Sequence, residues 1–114
     1  MEQRRRVPRQ GACWTGRYKV EGRRRFEWRD CLVLDISRLG VGLSLDGAIP
    51  KDLIGDRIVV EVHLPGTSVI IRLKGEVRHA AHDVRGGARI GMEFVELSEI
   101  ERSVLDVLEV VPVG

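Results

Sequence analysis

The strongest constraint on what this chain can fold into is the two-residue beat of its apolar positions. In "RIVVEVHL" and "SVIIRLKGEVRHA" hydrophobic residues alternate with polar and charged ones, and the two runs flank Pro65-Gly66-Thr67. Successive side chains of a strand face opposite sides of a sheet, so this beat describes strands with one dry face and one wet face. Proline fixes φ and glycine admits positive φ, so the punctuation between the runs reads as a hairpin. Strand-like runs recur in "CWTGRYKV", "FEWRDCLVLDIS", "VGLSL" and "ARIGMEFVEL", the last preceded by a loop at "HDVRGG". Within the second of these, Phe26, Trp28, Leu32, Leu34 and Ile36 share one parity, with Val33 the apolar exception on the other. Six short strands with short connections predict an all-β domain: a six-stranded antiparallel β-barrel, closed or nearly so.

The end of the chain changes period. In "LSEIERSVLDVLEVV" Ser98 is followed three residues later by Glu101, the capping-box arrangement. Ile100, Val104, Leu105, Leu108 and Val111 then recur at three- and four-residue spacing, and Pro112 stops the pattern. This predicts a C-terminal α-helix that buries its stripe across a barrel opening or against a partner.

Charge is divided unevenly. Residues 1–29 hold ten Lys/Arg against three acids, whereas the remaining 85 residues hold nine bases and fourteen acids, within a net charge of +2. Such separation in a small domain points to an anionic partner at the N-terminal end. Runs such as Ile58-Val59-Val60 are far too short to cross a bilayer, and no apolar leader opens the chain, so no membrane insertion and a cytoplasmic location are expected. Cys13 and Cys31 have no CxxC partner and read as small buried apolar residues.

No catalytic set emerges, so the expectation is a non-enzyme with no cofactor and no metal. "GVG" at 40–42 lacks the third glycine of a dinucleotide loop, and a single "RGG" at 85–87 reads as a loop. His79 and His82 fall where a strand gives way to a loop and have no acidic or Cys companions, so they read as surface histidines. The informative stretch is "DISRLGVGL", which sits between two strands. Asp35 and Ser37 can close a turn with their side chains while Gly40 supplies positive φ. The same Asp35-x-Ser37-x-x-Gly40 pattern also offers a carboxylate, a hydroxyl and a close-approach glycine. A carboxylate accepts both N–H groups on the edge of guanine, and arginine forks onto guanine O6/N7 or onto phosphate. A guanine nucleotide would therefore satisfy both this turn and the arginines of "MEQRRRVPRQ".

With these residues in view the chain resembles the PilZ domain family. The family carries an RxxxR motif in an N-terminal segment, here Arg5-x-x-x-Arg9, and a [D/N]xSxxG motif after the second strand, here Asp35-x-Ser37-x-x-Gly40. "GMEFVELSEIER" is similar to its last strand and helix start. The resemblance implies a barrel with a C-terminal helix that binds cyclic di-GMP and passes occupancy to a downstream protein partner. It implies that Arg5 and Arg9 clamp the ligand, that Asp35 and Ser37 hold a guanine, and that Gly40 allows close approach. Arg4, just before the motif, adds a cation and leans toward an intercalated pair of ligands. A second RxxxR, Arg25 to Arg29, runs directly into the strand that carries Asp35 and could not fold over a ligand, so the clamp is assigned to Arg5 and Arg9.

The expected organisation is a flexible arginine arm at 1–10 and a barrel with its helix at 11–114. Ordering six arm residues costs about 6–12 kcal/mol, and only Val7 and Pro8 are apolar there. Charge-assisted hydrogen bonds of about 1.5–3 kcal/mol each would let a ligand order the arm. Two rivals remain: a PilZ-like adaptor acting without nucleotide, and a nucleic-acid-binding barrel using Trp14, Phe26 and Trp28. The second is disfavoured by an aromatic content of 4% and by the acidic body.

Overall fold

A computed structural model describes residues 14–22, 27–47, 49, 52–84 and 86–110. The proposed arm at 1–10, with Arg4, Arg5 and Arg9, lies outside these residues, as do Cys13, Phe26 and Pro112. Six strands, β1 (Trp14–Val20), β2 (Arg29–Ile36), β3 (Gly40–Leu45), β4 (Arg57–His63), β5 (Ile70–His82) and β6 (Ala88–Phe94), precede one helix, α1 (Glu99–Val110). The strands form a closed barrel in the order β1-β2-β3-β6-β5-β4, every pair antiparallel. The all-β barrel with its C-terminal helix is thus present as the alternation predicts.

Inside, the alternating residues interlock: Tyr18 and Val20 from β1, Leu43 and Leu45 from β3, Val60 and Val62 from β4, Leu73 and Val77 from β5 are all fully buried. The hairpin at Pro65-Gly66-Thr67 is formed, with Gly66 at φ 76° and the Thr67 hydroxyl bonded to the Leu64 carbonyl at 2.9 Å. Helix α1 starts with the expected reciprocal cap: the Ser98 amide donates to Glu101 Oε1 at 2.9 Å and the Glu101 amide donates to Ser98 Oγ at 3.1 Å. No described helix is long and apolar enough to cross a membrane. Cys31 is buried, and burial, seconded by Asp30, pushes its thiol up to about 12.

Three details differ from the sequence expectations. In β2 the buried residues are Cys31, Val33 and Ile36, whereas Leu32 is 42% exposed and Leu34 half-buried. The reason is a β-bulge between Val33 and Asp35, which adds a residue and reverses the parity before Ile36. The second is at the histidines: β5 continues to His82, so His82 stands where the strand gives way to the loop, as expected, whereas His79 lies within the strand. In α1, Leu105 joins the core and Val104 is half-buried, but Ile100 is 78% exposed. Of the described positions of that stripe, Val104 and Leu105 meet the barrel and Ile100 does not.

Outside the barrel, Glu61 of β4 is flanked by Arg17 of β1 and Arg72 of β5. Arg17 donates to Glu61 Oε1 from Nε at 3.1 Å and Nη2 at 2.8 Å, and Arg72 Nε donates to Oε2 at 3.1 Å. Both guanidiniums lie near the Trp28 ring, 4.8 and 5.7 Å from its centroid. Hydrogen bonds from Arg72 and then Arg17 hold the Glu61 carboxyl below its usual range. A carboxyl depressed by folding stabilises the fold at pH values above its unfolded pKa, and that contribution is lost as pH falls through its folded pKa. Glu61→Gln is therefore expected to melt below wild type at neutral pH, with the gap beginning to close below about pH 4.3. Thermal melts across an acid series check this, and a gap independent of pH would refute the ladder's role.

Candidate functional site

The turn between β2 and β3 is the four-residue corner Ser37-Arg38-Leu39-Gly40. The Ser37 amide donates to the Gly40 carbonyl at 2.9 Å, and Ser37 Oγ accepts from the amides of Leu39 at 3.1 Å and Gly40 at 3.4 Å. Ser37 is 9% exposed, so its side chain first of all closes the corner. A hydroxyl that accepts from two amides still has its own hydrogen to donate. From the other side, the Phe94 amide donates to the Leu39 carbonyl at 2.8 Å, which fastens the corner to β6.

Gly40 is required for a reason other than positive φ. It is absent from the residues with left-handed backbone, but a Cβ placed on it would lie 2.1 Å from the Met92 carbonyl oxygen. The close approach here is between two strands of the barrel. That corrects the expectation that Gly40 supplies positive φ to the turn.

Asp35 sits two residues before the corner, half-buried, at the bulge. Its carboxylate oxygens lie 3.1 and 3.3 Å from where a Cβ of Gly42 would stand, so they reach over β3 on the outer face of the barrel. The structure thus brings Asp35, Ser37 and Gly40 to one end of the β2–β3 hairpin. Arg38 is 65% exposed at its side chain and approaches Asp106 of α1 at 3.7 Å, a contact between the corner and the helix. An exposed pair of this length adds little stability.

Arg29, the described half of the second RxxxR, stands across the β1–β2 ladder from Tyr18. Burial pushes the Tyr18 phenol up, and the Arg29 guanidinium opposes that shift. Six residues of strand separate Arg29 from Asp35, roughly 20 Å.

Reading by motif missed the surface beside Asp35. Gly42 pairs with Gly91 of β6, and Gly91 pairs with His79 of β5. The His79 ring leans over Gly91, with Cδ2 3.2 Å from the position of its absent Cβ. Two glycines facing outward on adjacent strands leave a strip of bare backbone between Asp35 and His79. The signal was in the sequence as Gly42 and Gly91, but only pairing puts the two side by side.

The two glycines of the hairpin differ in what an added methyl would strike, which makes them separable. Gly40→Ala meets backbone and is expected to cost about 1–3 kcal/mol in urea unfolding. Gly42→Ala meets the Asp35 side chain, which can swing, so its cost should be smaller. Equal losses would contradict this reading of the corner.

Comparison with known proteins places these features in a family. The family model described as the PilZ domain matches residues 3–108. Among solved structures, the PilZ domain of YcgR from Escherichia coli, determined with c-di-GMP, superposes with a TM-score of 0.70 at 18% identity, covering 92% of this chain and 87% of that one. The Bacillus subtilis inhibitor of motility MotI/DgrA gives a TM-score of 0.69 at 18% identity, covering 96% of this chain and 51% of that one. The longer YcgR chain from Escherichia coli, in complex with c-di-GMP, gives 0.69 at 15%, covering 95% of this chain and 45% of that one. This chain therefore spans about half the length of those two. A search of curated proteins finds no match. With the family model spanning nearly the whole barrel and helix, the chain belongs to the PilZ domain family.

Proposed function

We propose that this domain is a receptor for cyclic di-GMP, not an enzyme, and that it signals to a protein partner. The observation that carries the reading is the β2–β3 corner: Ser37 and Gly40 pin the turn, and Asp35 reaches out over a bare strip of backbone. The family match supports it, because it begins at residue 3 and so takes in Arg4, Arg5 and Arg9. The solved YcgR PilZ domain with c-di-GMP supports the choice of ligand.

In this reading Asp35 accepts the N1–H and N2–H groups of one guanine, a pattern adenine cannot offer. Ser37 donates its remaining hydrogen to the ligand, while Gly40 keeps the corner tight against β6. Arg5 and Arg9 fork onto phosphates and guanine edges, and Arg4 adds a third cation that favours a second ligand molecule. The clamp is assigned to Arg5 and Arg9 rather than Arg25 and Arg29, since Arg29 faces Tyr18 far along the strand from Asp35. Closure of the arm over the ligand would alter the surface beside the corner, where Arg38 meets α1. A receptor of this kind acts in the cytoplasm, where the second messenger is made.

Calorimetric titration tests the assignment. Arg5→Ala and Arg9→Ala should abolish tight cyclic di-GMP binding with the melting temperature unchanged, Asp35→Ala should weaken it, and cyclic di-AMP should bind poorly. Affinities within threefold of wild type for both arginine variants would overturn the clamp. Tight, steeply salt-dependent binding of a single-stranded oligonucleotide, with none of cyclic di-GMP, would favour the nucleic-acid-binding barrel instead.

A further inference from the structure

On the flank away from the β2–β3 corner, register sets two rows of outward side chains across β2, β1, β4 and β5. Asp30 pairs with Arg17, Arg17 with Glu61 and Glu61 with Arg72, so the first row alternates in charge: acid, base, acid, base. One step of two residues along each strand, roughly 7 Å away, Leu32 pairs with Thr15 and His63 with Ile70. This second row runs aliphatic, polar, polar, aliphatic, and Leu32 and Ile70 are 42% and 51% exposed. Between the rows lies a shallow hollow of about 320 Å³, lined by Thr15, Arg17, Asp30, Glu61, His63 and Ile70.

The ladder within one chain accounts for only part of this pattern. Arg17 and Arg72 both turn to Glu61, yet their side chains remain 53% and 65% exposed. Asp30, which extends the alternation to a fourth strand, has no ion pair among the described residues. Leu32 and Ile70 take no part in the buried core. Trp28 lies beside both guanidiniums, and tryptophan and arginine are the residues that most often dominate the energetics of contact surfaces.

We infer that this flank is the contact between two copies of the chain, related by a two-fold axis that runs parallel to the strands between β1 and β4. The order of charge carries the argument. Such an axis lays each row against itself in reverse. Asp30 then faces Arg72 of the second copy and Arg17 faces its Glu61, so all four charges of the row meet their opposites. In the second row Leu32 meets Ile70, and Thr15 meets His63. A uniformly acidic or uniformly basic partner would meet like charge at two of the four positions, which is unfavourable. A second copy carries the matching alternation by symmetry. Two rows of four residues make a contact small by the standard of permanent dimers, so the pairing is weak and depends on concentration. It uses neither the β2–β3 corner nor a nucleotide, so it stands or falls apart from the receptor reading.

Sedimentation equilibrium of the whole chain without nucleotide tests the contact. Between about 5 and about 500 µM the average mass should rise from 12.8 kDa toward twice that value, and the rise should be smaller at high salt. Asp30→Arg and Arg72→Glu each set like charges face to face and should weaken the dimer by about tenfold or more. Mixed one to one, these two variants should pair again, since at both contacts a base then meets an acid. A charge with a role only inside its own chain would not produce that recovery. Leu32→Ser, outside the charged row, should weaken the dimer about tenfold with its melting temperature unchanged, and it decides alone if a charge variant fails to fold. A wild type that keeps the monomer mass up to about 500 µM overturns the proposal. So does a dimer that survives all three substitutions, or a mixture of folded charge variants that does not pair.

Discussion

Everything in this domain depends on closing a six-stranded sheet on itself. Pairing of β1 with β4 completes the circle and leaves no strand edge exposed. A ring this small has room inside for side chains alone, so its interior is filled to the point of contact between backbones. A Cβ on Gly40 would run into the Met92 carbonyl, and one on Gly75 would stand 2.9 Å from the Glu93 carbonyl oxygen, so a side chain at either place would force backbone to shift. The β2–β3 corner is therefore held from behind by the barrel itself. A turn mounted this way is held in one conformation by its surroundings.

The same closure explains the outer face. A strongly curved sheet needs irregularities, and this one has bulges in β2 and β5. Each bulge keeps the hydrophobic count of the core intact while turning one polar side chain outward. The register shifts fall where Asp35 and His79 emerge on the outer face. Between them the glycines of β3 and β6 leave a shallow trough. On the opposite flank the Arg17–Glu61–Arg72 ladder ties β1, β4 and β5 under Trp28, so arginines on that side are internally paired.

Much of this is legible in the sequence. Alternating apolar residues specified strands, Pro65-Gly66 a hairpin, and Ser98 with Glu101 a helix start, because each is a local rule with a local cause. The motif Asp35-x-Ser37-x-x-Gly40 was visible for the same reason: a corner closed by its own side chains needs nothing distant. Reading failed at β2, where Leu32 and Leu34 were assigned with Ile36, and at His79, which was assigned to the margin of a loop. The first error sits at a bulge; the second comes from the length of β5. A bulge shifts parity by one residue and leaves no mark in composition, since what selects it is the partner strand's register.

Local sequence settles the element types, the antiparallel barrel class, the helix cap and the charge asymmetry that sets arginines at one end of an otherwise acidic chain. It does not settle the strand order, which departs from a simple meander by placing β6 beside β3 and β4 beside β1. Tertiary structure alone decided which faces of β2 and β5 look outward, why Gly40 must be glycine, and that Gly42 and Gly91 lie next to each other. The division has a physical basis. Propensity, capping and turn chemistry act over a few neighbouring residues, whereas register is chosen collectively by six strands that must close with their core filled. Residues 42 and 91 are far apart along the chain, and only that closure makes them one surface.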